Sequence, residues 1–143
     1  MIEEANKIVD DYFRAKENGD FDLMKECFWQ NENLFYIGSD KGEIWNGWDM
    51  ISNYLKAQII SFESFKAKRK KLFEKELEKD KIFLFVEENE VTISLKGKSK
   101  TDSFIISILV EKIEGNFKIT FLHRSLPSKE PSFPYSFGTV RFA

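Results

Sequence analysis

The sequence predicts an α+β domain in which three N-terminal helices pack on an antiparallel sheet. Apolar residues recur at helical spacing up to Phe62, and four long segments joined by short turns follow. A chain of 143 residues is long enough for one domain with a substantial core. We therefore expect a single domain over residues 1–127, followed by a short extension over residues 128–143.

The first two helices are indicated by spacing and by their end signals. Gly19 is a typical helix stop, and Asp20 is a typical N-cap for a second, shorter helix. The apolar faces consist of Ile2, Ala5, Ile8, Val9, Tyr12 and Phe13 in the first helix, and of Phe21, Met24, Cys27 and Phe28 in the second. Both helices are therefore expected to pack on the core through one face.

A small hairpin and a third helix come next. Residues 34–38 and 43–45 read as two strands, with a turn between them. Asn46 and Gly47 end the second strand, and Asp49 lies in the first turn of the next helix, where an acid is favoured. The buried face of this third helix is predicted to contain Ile51, Tyr54, Leu55 and Ile59.

Four strands over about 63–78, 81–93, 101–114 and 116–126 are predicted to form an antiparallel meander. The third of these strands is apolar on both faces, at Phe104 to Ile106 and Ile108 to Val110. Such a strand must be covered on both sides. The helices provide one cover, and a second copy of the chain is the simplest candidate for the other.

The last strand carries the most distinctive polar residues. Strict alternation puts Phe117, Ile119, Phe121, His123 and Ser125 on one face. His123, the one histidine of the chain, would then end an apolar stripe, where it could line a pocket or act as a general acid or base. Arg124 would face the opposite way. Asp102 could lie opposite His123, provided that no bulge changes the alternation.

This order of elements resembles the nuclear transport factor 2-like superfamily, and its SnoaL-like branch in particular, over about residues 2–127. The residues that carry the resemblance are Gly47 to Ile51, which open the third helix, and His123 to Ser125, near the end of the last strand. A similar His-Arg-Ser ending occurs in the association domain of calmodulin-dependent kinases. The chain is also similar to SnoaL-like modules of bacterial signalling proteins.

The resemblance implies a cone-shaped domain in which a strongly bent sheet wraps around helices and leaves a cavity at its open end. It also implies a homodimer through the outer sheet face. Tyrosine and tryptophan combine an apolar body with one polar group, which suits a cavity for a small apolar or aromatic ligand. With His123 and Ser125, the expected ligand-binding residues are Tyr12, Tyr36, Trp45 and Trp48.

Two classes of function follow from these features. The first is a non-catalytic, dimeric domain that binds or senses a small molecule in an aromatic cone. The second is a cofactor-independent isomerase, dehydratase or hydrolase that uses His123. A protein-assembly domain is a third alternative. Enzymes of the superfamily usually carry an acid inside the cone, and few inward acids are evident here. The first hypothesis is therefore favoured over catalysis, and the question of enzymatic activity stays open.

Composition narrows the expected partners. The single cysteine, Cys27, favours a reducing compartment and a cytoplasmic location, and no apolar run is long enough for a membrane span. The single cysteine and the single histidine are far apart in sequence, so no metal site is expected. No cofactor is expected either. The basic run at 66–71 is followed by acids at 74–80, which favours charge pairing over nucleic-acid binding. The aromatic, proline-containing extension is expected to pack on the body or on a partner.

Overall fold

The computed structural model describes residues 1–128 and contains three helices and six strands in one sheet. The helices are α1 (Ile2–Asn18), α2 (Phe21–Cys27) and α3 (Trp48–Ser61). The strands are β1 (Phe35–Ile37), β2 (Ile44–Asn46), β3 (Ser64–Glu78), β4 (Ile82–Leu95), β5 (Lys98–Ile113) and β6 (Asn116–Ser125). The predicted α+β class and the order of the elements are confirmed. The C-terminal extension beyond Ser128, expected to pack on the body or a partner, lies outside the described residues.

The helix ends are fixed by the residues that the sequence indicates. Gly19 has a left-handed backbone with φ 62°, and its N–H bonds to carbonyls in the last turn of α1. The Asp20 side chain accepts a hydrogen bond of 3.0 Å from the Leu23 N–H at the start of α2. Together these two residues reverse the chain between α1 and α2, so that both helices pack on the same side of the sheet.

The sheet has the strand order β2-β1-β6-β5-β4-β3. The strands β3 to β6 form the predicted antiparallel meander, and β1 and β2 form the predicted hairpin. The prediction of an entirely antiparallel sheet is wrong at one place, since β1 pairs in parallel with β6. The sheet is therefore mixed, and this parallel pair brings the hairpin next to the end of β6.

The strand β5 begins three residues earlier than predicted. Lys96 and Gly97 both have positive φ, at 52° and 75°. This is the geometry of a two-residue hairpin turn, whose twist matches that of the flanking strands. The pairing of β4 with β5 therefore continues to Leu95 and Lys98 at the turn.

The core lies between the helices and one face of the sheet, here called the inner face. It contains apolar side chains of every element except β2, all of them buried. The inner-face residues of the three central strands are Phe83, Phe85, Ile106, Ile108, Val110, Ile119 and Leu122. Burying these side chains contributes about 1.5–3 kcal/mol each, relative to leaving them exposed.

A β-bulge at Thr120 changes which residues of β6 face the core. Ile119 pairs with Val110, but Phe121 pairs with Leu109, so Thr120 is an extra residue in β6. Ile119 and Thr120 are adjacent and both buried, as expected where a bulge interrupts the alternation of inward and outward side chains. Beyond the bulge the even-numbered residues point inward.

The bulge overturns the expected orientations of the strand-end residues. His123 and Ser125 are exposed and lie on the outer face of the sheet, whereas Arg124 shares the inner face with Leu122. The predicted opposition of Asp102 and His123 is also wrong, because Asp102 pairs with Val91 and His123 pairs with Ser107.

An ionic cluster fixes α1 to β3 and β4. The Arg69 guanidinium donates two hydrogen bonds to the Glu87 carboxylate, at 2.8 and 2.7 Å, and a third of 2.8 Å to Asp10. The Asn89 amide donates to Glu87 as well, and Arg69 lies 4.5 Å from the centroid of the Phe13 ring. Glu87 is buried, and these direct contacts balance its charge.

None of the helices in residues 1–128 is both long and apolar enough to cross a membrane.

Candidate functional site

Polar side chains from five parts of the chain meet on the inner face, between the hairpin, α1, α3 and the end of β6. We call this group the inner polar cluster. It consists of Tyr12 in α1, Tyr36 in β1, Glu43 and Trp45 at β2, Tyr54 and Gln58 in α3, and Arg124 in β6. Tyr36 pairs with Trp45 across the hairpin and with Leu122 of β6, which places the hairpin beside Arg124.

The aromatic rings of the cluster contact one another. The ring centroids of Tyr36 and Tyr54 are 5.4 Å apart, and those of Trp45 and Tyr54 are 5.3 Å apart. Tyr12 packs edge-on against Phe28 at 5.9 Å. These contacts hold the rings in place, so the polar groups on them have defined positions.

Both oxygens of the Glu43 carboxylate accept hydrogen bonds, which fix the side chain in the cluster. One oxygen accepts a hydrogen bond of 2.8 Å from the Asp40 N–H, and the other accepts 2.7 Å from the Tyr54 hydroxyl, which in turn accepts from the Gln58 amide at 2.8 Å. A Cβ at Gly38 would lie 2.5 Å from a Glu43 oxygen, so only glycine leaves room for this side chain. Glu43 is therefore a positioning residue for Tyr54.

Other polar atoms of the cluster have no partner. Five buried atoms make no hydrogen bond to any residue in the described part of the chain: the Tyr12 and Tyr36 hydroxyls, Trp45 Nε1, Gln58 Oε1 and Arg124 Nε. A buried polar atom without a partner costs about 1–3 kcal/mol. Four of these five atoms can donate a hydrogen bond. The arrangement is therefore suited to a group with several acceptor atoms.

Arg124 is the central residue of this arrangement. It is partly buried, its guanidinium lies 5.3 Å from the centroid of the Phe104 ring, and within residues 1–128 it has neither a hydrogen bond nor an ion pair. Burial lowers the pKa of Arg124, but the nearby Tyr36, Tyr12, Tyr54 and Glu43 outweigh this and raise the pKa above its usual value. Arg124 is thus a permanent, partly buried cation that no side chain of residues 1–128 pairs with directly.

Tyr12 and Tyr54 remain neutral hydrogen-bond donors. Burial raises the pKa of Tyr12 well above its usual value, and the nearby Tyr36 adds to this effect. Burial also raises the pKa of Tyr54, with further contributions from Tyr36 and from the hydrogen bond to Glu43. Neither phenol is therefore disposed to act as a base at neutral pH.

A cavity of about 700 Å³ opens at the end of the sheet beside this cluster. We call it the mouth cavity. Its apolar wall comprises Val91, Ile93 and Phe104, and its rim carries three lysines at positions 96, 98 and 100. Asp102 also lines it and lies 3.5 Å from Lys100. Phe104 lines the mouth cavity and lies against Arg124 of the inner polar cluster, so the cavity and the cluster are neighbours.

The structure brings together half of the six residues predicted for ligand binding. Tyr12, Tyr36 and Trp45 belong to the inner polar cluster. Trp48 instead packs on Phe28, at 6.1 Å between ring centroids, beside a separate groove of about 540 Å³ at the start of α3. His123 and Ser125 lie on the outer face, as described above.

Sequence reasoning missed the charged residues of the site. Arg124 was assigned to the wrong face, and Glu43, Gln58 and Phe104 carry no local signal for a shared site. One clue to Arg124 was present, because Leu122 interrupts the polar row to which strict alternation assigned it. Cys27 is no candidate nucleophile, since burial raises the pKa of its thiol to about 12. Within residues 1–128, no group of three His, Cys, Asp or Glu side chains could hold a metal ion.

Solved structures of low sequence identity share this fold. A nuclear transport factor 2-like superfamily protein from Salmonella enterica serovar Typhimurium is 16% identical with a TM-score of 0.76, and the match covers 90% of this chain and 92% of that one. A hexachlorocyclohexane dehydrochlorinase from Novosphingobium barchaimii is 9% identical with a TM-score of 0.73, over 94% and 91% of the two chains. An NTF2-like protein of unknown function from Shewanella oneidensis is 24% identical with a TM-score of 0.67, over 87% and 98%.

No curated protein matches the sequence at a significant level. The sequence pattern of the SnoaL-like domain matches residues 5–129, which is most of the chain. The predicted resemblance is therefore confirmed, and the helices, the bent mixed sheet and the order of elements agree with it. This chain belongs to the SnoaL-like domain family and has the nuclear transport factor 2-like fold.

Proposed function

We propose that this domain binds a small carboxylate with an aromatic or apolar body, without chemical turnover. The observation that carries the proposal is Arg124, a partly buried guanidinium that forms no ion pair and no hydrogen bond within residues 1–128. Arginine binds carboxylates through paired, charge-assisted hydrogen bonds. A ligand carboxylate beside Arg124 would balance its charge and supply acceptors for the unpartnered Tyr12 and Tyr36 hydroxyls.

The mouth cavity is suited to the aromatic or apolar body of the proposed ligand. Its volume of about 700 Å³ lies within the range of ordinary small-molecule sites. Phe104, Val91 and Ile93 offer an apolar surface to a ring or short chain, and Arg124 lies 5.3 Å from the centroid of the Phe104 ring. Lysines at the rim favour the approach of an anion, because they raise its local concentration.

Acid–base catalysis is the alternative, and the dehydrochlorinase among the structural neighbours gives it some support. The hypothesis that His123 is the general acid or base is not supported, since His123 is exposed on the outer face. Glu43 is the remaining acid of the cluster, but both of its oxygens already accept hydrogen bonds. Each oxygen keeps a second lone pair, but the carboxylate is held on the Asp40 N–H and the Tyr54 hydroxyl, and it does not line the mouth cavity. Binding without turnover is therefore the better-supported function.

A homodimer through the outer sheet face completes the proposal. That face carries half-buried apolar side chains on four neighbouring strands: Phe35, Leu84, Val86, Ile105, Leu109 and Phe121. An apolar area of this extent is unusual on a monomer, and a second copy offers a complementary face. We also expect the protein to be cytoplasmic, on the basis of its single cysteine.

The assembly is tested by sedimentation of the full chain and of Leu109→Glu. We expect a dimer for the wild type at micromolar concentration and a monomer for the variant, because a buried carboxylate without a partner opposes association. Lys7→Glu, at an exposed position on α1, which packs on the opposite face of the sheet, serves as the control and should stay dimeric. A monomeric wild type would contradict the proposed dimer.

The ligand is tested with matched compounds that differ in charge alone. Phenylacetate and phenylacetamide have the same ring and nearly the same shape. We expect phenylacetate to raise the melting temperature of the full chain and to bind measurably by calorimetry, while phenylacetamide has little effect. Equal binding of both compounds would contradict a carboxylate site, and conversion of the bound compound to a product would favour catalysis.

A further inference from the structure

A buried lysine lies on the inward face of α1, near the C-terminal end of the helix. Lys16 continues the helical spacing of Ala5, Val9 and Tyr12, and it is 7% exposed. Its Nζ lies 5.1 Å from the centroid of the Tyr12 ring and 5.2 Å from that of Phe65. Within residues 1–128 it forms neither an ion pair nor a hydrogen bond. This is an unusual environment for lysine, which is seldom buried unless paired.

A small cavity of about 130 Å³ adjoins Lys16, between the ends of α1 and α3 and the start of β3. Its apolar walls are Ile59, Phe62 and Phe65. Two acids, Glu17 and Glu63, also line it, but their carboxylates accept hydrogen bonds from the N–H groups of Ala67 and Gly97. Neither acid neutralises the lysine. The cavity can therefore hold a small, mostly apolar molecule beside Lys16 and beside the Phe65 ring, whose centroid lies 5.2 Å from the Lys16 Nζ.

The electrostatics favour the uncharged amine. Burial lowers the pKa of Lys16 well below its usual value, and the positive charge of Arg124 adds to this effect, while Glu43 opposes it. The two ring faces favour the ammonium form through cation–π attraction. Loss of water around the ammonium is the main cause of the lowered pKa, and neither ring replaces the lost hydrogen bonds. An uncharged amine is a nucleophile, whereas an ammonium ion is not.

We propose that Lys16 captures small aliphatic aldehydes as an imine in this cavity. The Nζ lone pair attacks the carbonyl carbon, and the electrons of the C=O bond move to oxygen, which takes a proton to give a carbinolamine. The nitrogen then loses a proton and the carbon loses water as the C=N bond forms. The net change is amine plus aldehyde to imine plus water, with no oxidant or reductant. The charge of Arg124 links this position to the carboxylate site, because it helps to keep the Lys16 amine uncharged.

The test is reductive trapping on the full-length protein. Propanal and sodium cyanoborohydride are added at neutral pH, so that hydride from the borohydride converts any imine to a stable secondary amine. Peptide mapping then compares alkylation at Lys16 with that at Lys7, an exposed lysine on the same helix. An ordinary lysine, with a pKa of about 10.4, is an uncharged amine in fewer than about one molecule in 10³ at pH 7. We expect Lys16 to react at least ~10-fold faster than Lys7.

Two variants complete the design. Lys16→Met should abolish the fast alkylation, and Lys7→Arg should preserve it. If Lys16→Met does not fold, the wild-type peptide map decides alone. Alkylation of Lys16 at the same rate as Lys7, or more slowly, would overturn the proposal, as would a fast phase that persists in folded Lys16→Met.

Discussion

Two arginines of the inner face, Arg69 and Arg124, have opposite surroundings. Arg69 donates three hydrogen bonds to two carboxylates, and it lies on the ring of Phe13. Arg124 lies on the ring of Phe104 and has neither a hydrogen bond nor an ion pair in residues 1–128. The two side chains are chemically identical, so the difference lies in what the fold places around them.

The difference separates a structural site from a binding site. A buried charge is costly unless it is paired, and a fold that retains an unpaired one carries a free-energy cost that a ligand can remove. The Arg69 cluster is complete and links α1 to the sheet. The inner polar cluster, which contains Arg124, has buried polar atoms without partners in residues 1–128. It lies beside the mouth cavity, which is large enough for a ligand. We interpret this incompleteness as the mark of the functional site.

The largest expected effect is on the complete cluster. Arg69→Met should lower the free energy of unfolding by about 3–5 kcal/mol, because it leaves the buried Glu87 carboxylate without its cation. Urea denaturation measures this loss. Lys68→Met is the matched control, since Lys68 and Glu90 are exposed and 3.8 Å apart, and it should cost less than about 1 kcal/mol. Equal losses in both variants would show that the Arg69 cluster is not specially stabilising.

An intermediate effect should distinguish two tyrosines of the inner polar cluster. Tyr54→Phe removes hydrogen bonds to Glu43 and Gln58 and should cost about 1–2 kcal/mol of stability. Tyr36→Phe removes a buried hydroxyl that has no partner, so stability should stay constant or rise. The pair is compared by urea denaturation in a buffer without carboxylates. A larger loss in Tyr36→Phe than in Tyr54→Phe would contradict the assigned contacts.

The smallest expected effect on stability is at Arg124 itself. Arg124→Met removes a cation that forms no ion pair within residues 1–128, and it keeps a side chain that can pack on Phe104. The free energy of unfolding should therefore stay within about 1 kcal/mol of the wild type, or rise. Urea denaturation in a chloride buffer measures this value. A loss comparable to that of Arg69→Met would mean that Arg124 has a structural anion after all.

Most of the fold could be predicted from local patterns. Helical spacing, Gly19 and Asp20 specify the first two helices, and the short turns specify the meander. The parallel pairing of β1 with β6 could not be predicted in this way, because the two strands are distant in sequence and the contact depends on how the sheet closes. Local patterns describe elements, whereas such pairings depend on the whole domain.

The candidate site was predicted less well, for a similar reason. Tyr12, Tyr36 and Trp45 were identified from residue type alone. A single extra residue at Thr120 exchanged the orientations of His123 and Arg124, since a shift of one residue moves each side chain to the other face. A bulge of this kind depends on the pairing with β5, and the sequence of β6 alone does not reveal it. The link between Glu43 and Tyr54 likewise depends on the packing of α3 against the hairpin.

The central claim is that Arg124, rather than His123, holds the ligand. Calorimetry with phenylacetate on the wild type, Arg124→Met and His123→Ala tests it most directly. We expect Arg124→Met to weaken binding by at least ~10-fold, because a charge-assisted hydrogen bond of about 1.5–3 kcal/mol is lost. His123→Ala should stay within about twofold of the wild type, since an exposed residue on the other face makes no contact with the site. Unchanged affinity in Arg124→Met, or a large loss in His123→Ala, would contradict the account.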